Sequence, residues 1–198
     1  MRSYGAFSLN AIWFLIAVNI LVFIFTLIRP EAIFILGLTP AYFLYQPWTI
    51  ITNLFVHGGI GHIMCNMISL YFLGSFLLRL TGEKRFLIVY FLGGIVGNIF
   101  FIFYYKLLPG AYPVMGVGAS GAIFALGGAL AIMAPRVPVF IFFIPISTPL
   151  WLAIVIFLLI SFIPAAGIAW QAHLGGLLLG LIVGYYFKRR KTYSRIYY

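Results

Sequence analysis

Long apolar runs separated by short polar breaks organise this chain, and their lengths predict helices. The first run covers about residues 9–28 and stops at Arg29-Pro30; others follow at about 61–80, 85–107, 120–134, 150–163 and 169–187. Most approach the roughly 20 residues that a helix needs to cross a bilayer, and none alternates as a barrel strand does. The pattern predicts an all-α membrane protein, a bundle of six transmembrane helices forming one domain over residues 1–198. A long amphiphilic connection, about 30–56, joins the first two helices and holds Pro40, Pro47 and Trp48. No stretch is left for a separate soluble domain, and no repeat is visible. The first run exceeds a signal-peptide core and lacks a small-x-small cleavage pattern behind it, so it reads as a retained helix.

Composition sharpens this picture. Hydrophobic residues make up 65% of the chain and charged residues 7%, against about 25% charged in a soluble domain. The net charge of +10 would suit a nucleic-acid binder, but its placement excludes that class. Arg79, Lys84, Arg85 and Arg136 lie in short polar breaks, and Lys188, Arg189, Arg190, Lys191 and Arg195 follow the last apolar run. Short cytoplasmic loops carry such an excess of basic residues. With six spans both termini share one side. Placing them inside puts ten of the 12 basic residues in the cytoplasm, Arg2 included, and leaves Arg29 and Lys106 outside. The expectation is a multi-pass cell-membrane protein.

The fourth helix is too short. About 15 residues at 1.5 Å each span roughly 22 Å, against a hydrocarbon core of about 30 Å. Its outer end must begin below the membrane surface, behind a Gly- and Pro-containing stretch from Pro109 to Gly118. Irregular backbone at membrane depth has to line protein or a water-filled cavity. The sequence therefore predicts a cavity opening outward, with Ser120 at its floor.

Depth picks out the polar groups of that cavity. Ser120 lies 15 residues before Pro135, His173 15 before Lys188, and His62 and Asn66 lie 17 and 13 before Arg79. These rises of about 20–25 Å place all four on one plane near the outer face. His62 and Asn66, spaced i, i+4, share one helix face. Gly118 and Gly121 leave the backbone around Ser120 uncrowded. Gly175, Gly176, Gly180 and Gly184 form a small-residue stripe that suits close packing on Gly121, Ala125, Gly128 and Ala129, which would carry His173 to Ser120. A serine next to a histidine reads as a nucleophile and its general base. The Ser120 N–H, Asn66 and His62 read as donors to a developing oxyanion. The only acids, Glu31 and Glu83, belong to loops on opposite sides, so the pair works as a dyad and what orients His173 stays open. Three histidines without clustered carboxylates make no metal site, and no cofactor is expected. Cys65 reads as packing filler and His57 as an anchor of the loop before helix 2.

Taken together, His62-x-x-x-Asn66, Gly118-x-Ser120-Gly121 and Ala172-His173-x-Gly175-Gly176-x-x-x-Gly180, in this order, resemble the rhomboid intramembrane serine proteases. His57 and Gly82-x-x-Arg85-Phe86 fit the same pattern, and the resemblance runs from about residue 48 to 186. It implies a six-helix rhomboid fold, cleavage of transmembrane protein substrates near their outer ends within the lipid bilayer, and the dyad and oxyanion roles named above. It also implies a partly helical first loop lying in the outer leaflet. Two positions depart from the family pattern: Thr49 follows Trp48 where many members have arginine, and Phe124 stands where some carry tyrosine beneath the histidine. Two rival readings are an inactive rhomboid-like binder of transmembrane helices and a small transporter using His173 as a proton relay. The first would be expected to lack the serine or histidine, and the second to show an inverted repeat or paired broken helices.

Overall fold

A computed structural model describes residues 10–108, 115–141, 144–163 and 168–190. Arg2, Lys191 and Arg195, used above for orientation, and Pro109 of the segment before Ser120 lie outside them.

Most of the described chain is helical. Helix α1 spans Asn10–Ile28 and buries Ile12, Leu15, Ile16, Asn19, Phe23 and Thr26 along one face. Its opposite face is equally apolar, with Phe14 68% and Leu21 65% exposed. A helix that hides one face and offers hydrocarbon on the other is built for lipid rather than water. The long connection is partly helical, as expected: α2 (Ala32–Leu36), α3 (Thr49–Thr52) and two 3-10 turns, Pro40–Tyr42 and Asn53–Phe55. The Arg29 guanidinium donates to Glu31 at its start and holds that carboxyl below its usual range.

The second apolar run forms α4 (Ile60–Ser69) and α5 (Ser75–Thr81), joined by a π turn over Leu70–Gly74 that the periodicity did not foretell. Gly82, at φ 86°, makes the reversal into α6 (Glu83–Leu107). That positive φ costs glycine little and other residues more. Among the described residues, Ala11–Ile28, Ile60–Thr81 and Glu83–Leu107 are three helical stretches long and apolar enough to cross a membrane.

Helix α7 (Ser120–Met133) is the centre of the molecule. It has 14 residues, a length of about 21 Å, and every residue from Gly121 to Leu130 is buried. A helix that is apolar all round must be surrounded, and glycines let its neighbours come close. A β carbon on Gly176 or Gly180 of α9 (Trp170–Arg190) would collide with the Gly121 or Ala125 carbonyl, and one on Gly184 would lie 2.6 Å from the Ala129 carbonyl oxygen. Helix α6 closes on the same pair, with Gly93 against Ala125 and Gly97 against the Ala172 carbonyl.

One element corrects the all-α expectation. Pro138–Ile141 (β1) and Ile144–Pro149 (β2) pair antiparallel, with Val139 opposite Thr148 and Phe140 opposite Ser147. Prolines at the ends and β-branched residues between them suit a short hairpin, but the run is too brief for its period to stand out beside the helices. Helix α8 (Leu150–Ser161) then begins where expected and ends two residues early.

Candidate active site

Ser120 is the first residue of α7, so its N–H has no partner within the helix. Gly118, at φ 116°, turns the chain into that helix. Across the site, α9 carries His173, which is 7% exposed. The close approach of the two helices sets the distance between them. The His173 ring nitrogen Nε2 lies 2.7 Å from Ser120 Oγ, short enough for a strong hydrogen bond.

A stacked aromatic ring holds the imidazole from below. Phe124, one turn after Ser120, lies with its centroid 4.4 Å from that of His173 at an interplanar angle of 25°. The other ring nitrogen, Nδ1, has no hydrogen-bond partner among the described residues. Neither side-chain carboxylate reaches it: Glu31 pairs with Arg29, and Glu83 opens α6. Packing, rather than an acid, orients this histidine.

His62 closes the opposite side. Its Nε2 would lie 2.7 Å from a β carbon built on Gly118, and Ser120 Oγ 3.8 Å from the same point. The two polar atoms thus flank the Gly118 α carbon, and a glycine is required there by both space and φ. The Gly58 N–H donates to His62 Nδ1 at 3.4 Å. An accepting Nδ1 leaves the ring proton of a neutral imidazole on Nε2, so His62 presents a donor toward the Ser120 side. Asn66 is buried, and its Nδ2 donates back to the His62 carbonyl at 2.8 Å. One amide N–H remains over, while Oδ1 has no partner among the described residues. His57, 1% exposed, meets His62 edge to face at 5.0 Å and lies with Nδ1 3.3 Å from the Phe55 carbonyl, as befits an anchor of the loop.

Two residues absent from the sequence reading complete the surroundings. Asn53 and Asn98 exchange amide hydrogen bonds of 3.0 and 2.8 Å behind Ser120. They line a narrow crevice together with Gly116, Gly118, Ser120 and Ala172. An asparagine in the middle of an apolar helix was the available signal, since such a group has to find a partner. Among the described residues no three His, Cys, Asp or Glu side chains gather as a metal-binding group.

Comparison with known proteins places the chain in a family. The sequence profile of the Rhomboid domain matches residues 44–190. The chain is 31% identical over 148 residues to Rhomboid protein 1, mitochondrial, of Saccharomyces cerevisiae, covering 71% of this chain and 42% of that protein. It is 38% identical over 88 residues to Rhomboid protease GluP of Bacillus subtilis, covering 44% of this chain and 16% of the relative. It is also 30% identical over 86 residues to a protein named Inactive RHOMBOID-like protein 8, of Arabidopsis thaliana, covering 43% and 23%. The chain spans less than half the length of these relatives. By its domain match and its similarity to the yeast protein, this chain belongs to the rhomboid family.

Proposed function

We propose that this protein is an intramembrane serine endopeptidase that cuts transmembrane segments of other membrane proteins near their outer ends. The observation that carries the reading is the 2.7 Å contact between Ser120 Oγ and His173 Nε2 in a predominantly apolar helical bundle. His173 takes the Ser120 proton as Oγ attacks the scissile carbonyl carbon. The oxyanion that forms is held by the Ser120 N–H, His62 Nε2–H and the spare N–H of Asn66. One such donor contributes roughly 10²–10³ in rate. His173 then gives its proton to the leaving amine as the C–N bond breaks. Water, deprotonated by the same imidazole, attacks the acyl carbon, and His173 returns that proton to Ser120 Oγ as the ester bond breaks. Every step uses this chain's own groups and water.

In this reading residues 1–198 form one domain of six spans, α1, α4–α5, α6, α7, α8 and α9, in a cell membrane. Both termini are cytoplasmic, and the cavity above the short helix α7 opens outward and admits water. The substrate comes sideways from lipid. Helix α8 is the side that yields: among the described residues its hydroxyl Ser161 bonds within its own helix, to the Leu158 carbonyl.

Fluorophosphonate labelling of the purified protein tests the reading. Labelling of the wild type that is lost in both Ser120→Ala and His173→Ala is expected. Equal labelling of all three would remove Ser120 as nucleophile. A folded wild type that does not label would favour a helix-binding protein without hydrolytic activity.

A further inference from the structure

In the described part of the segment that delivers Ser120, the backbone of Gly116 and Gly118 is held by the first loop. Gly116 exchanges backbone hydrogen bonds with Leu38, at 3.0 and 2.8 Å, and the Gly118 N–H donates to the Asn53 carbonyl at 2.9 Å. The loop in turn is fastened to α6 by side chains. Asn53 and Asn98 are 2% and 4% exposed and pair amide to amide. The Asn98 amide also donates to the Ile50 carbonyl at 2.8 Å, and that of Asn53 to the Gly116 carbonyl at 3.4 Å. Every amide atom of the pair is engaged.

The other half of the site rests on the neighbouring residue of α6. A β carbon on Gly97 would lie 2.5 Å from the carbonyl oxygen of Ala172, the residue before His173. One turn of α6 is therefore the shared reference for both sides of the site. Gly97 fixes the depth of the histidine, and Asn98, through Asn53, fixes the turn that leads to the serine.

We propose that Asn53 and Asn98 act as a positioning pair that holds the Gly118–Ser120 backbone at its working distance from His173 and from the donors on α4. The proposal rests on the serine-protease reading above. Neither amide touches the reacting atoms, so the pair acts through geometry. A buried amide pair also answers why polar groups stand at this depth: each satisfies the other, and removing one leaves its partner unpaired. Displacement of a reactive group by about 1 Å can cost on the order of 100-fold in rate.

The test uses the full-length protein and a fluorophosphonate probe, with the maximal inactivation rate kinact, the half-saturating concentration and the final stoichiometry of labelling read separately. Asn98→Ala is expected to label to completion with kinact lower by about 10–100-fold and half-saturation nearly unchanged. Asn98→Ser, which keeps a small donor and acceptor, should fall between it and the wild type. The double variant Asn53→Ala/Asn98→Ala should be no slower than the slower single one, because the two residues form one unit. A reduced final stoichiometry with a wild-type kinact in the remaining molecules would overturn the proposal, since it means only that fewer molecules fold. An unchanged kinact, or multiplicative effects of the two single variants, would overturn it as well. If Asn98→Ala does not fold, Asn53→Ala and Asn98→Ser decide between the same outcomes. A wild type that does not label, or that labels equally without Ser120, marks failure of the underlying protease reading instead.

Discussion

Phe124 lies beneath His173 with ring centroids 4.4 Å apart, while the imidazole Nδ1 has no hydrogen-bond partner among the described residues. In the proposed dyad, this ring stacked on the imidazole face would orient His173 by packing, with no carboxylate at Nδ1. Phe124→Leu is expected to keep the fold and lower the fluorophosphonate inactivation rate by about tenfold, because the imidazole gains freedom about its Cβ–Cγ bond. Phe124→Ala should in addition lower stability by about 3–5 kcal/mol, since it opens a cavity within buried α7. Thermal unfolding in detergent, run beside the labelling rate, separates the two effects.

Gly118 should accept no side chain. A β carbon there meets His62 Nε2, and its φ of 116° is strained for any other residue. Gly118→Ala is expected to abolish proteolysis even if the protein folds, because His62 and the Ser120 turn cannot both keep their places. Labelling together with a circular dichroism spectrum checks this.

The glycines of α9 should be unequal to Gly61 in the first turn of α4. Gly176→Ala drives a methyl group into the Gly121 carbonyl and separates α7 from α9, whereas a β carbon at Gly61 meets nothing within 4 Å. Gly176→Ala is expected to lose both folding stability and labelling. Gly61→Ala should be neutral or stabilise by about 0.5–1 kcal/mol through helix propensity. Unfolding midpoints of the two variants give the comparison.

His62→Ala and Asn66→Ala each remove one donor on the oxyanion side, and each should slow peptide cleavage by roughly 10²–10³. His62 presents its donor to the Ser120 side as it stands. Asn66 has one N–H turned back on its own helix, so Asn66→Ala should cost less. The hydrolysis rate of a labelled transmembrane peptide in liposomes measures both, and an unchanged rate in either variant would make that residue a packing element.

The proposed orientation makes its own prediction. In a Cys65→Ser background, a cysteine in place of Glu31 should react with a membrane-impermeant maleimide from outside intact cells. One in place of Lys84 should react only after the membrane is opened. The reverse pattern would invert the topology.

Much of this protein was readable along the chain because a bilayer imposes simple rules. Apolar runs located the helices to within a few residues, since backbone groups in hydrocarbon must bond locally. The shortness of α7, the small-residue stripe of α9 and the polar residues at matched depth led to Ser120, His173, His62 and Asn66 because polar groups are rare and costly there. Other features depend on groups brought together from distant parts of the chain. The amide pair joins residues 53 and 98; the β1–β2 hairpin and the π turn are local but leave no periodic signal. Composition and spacing singled out polar residues at similar distances along their helices, because rise per residue is a local property. Only the tertiary structure decided which of their atoms meet, because that depends on how closely glycine-lined helices approach and on which amide a buried asparagine finds.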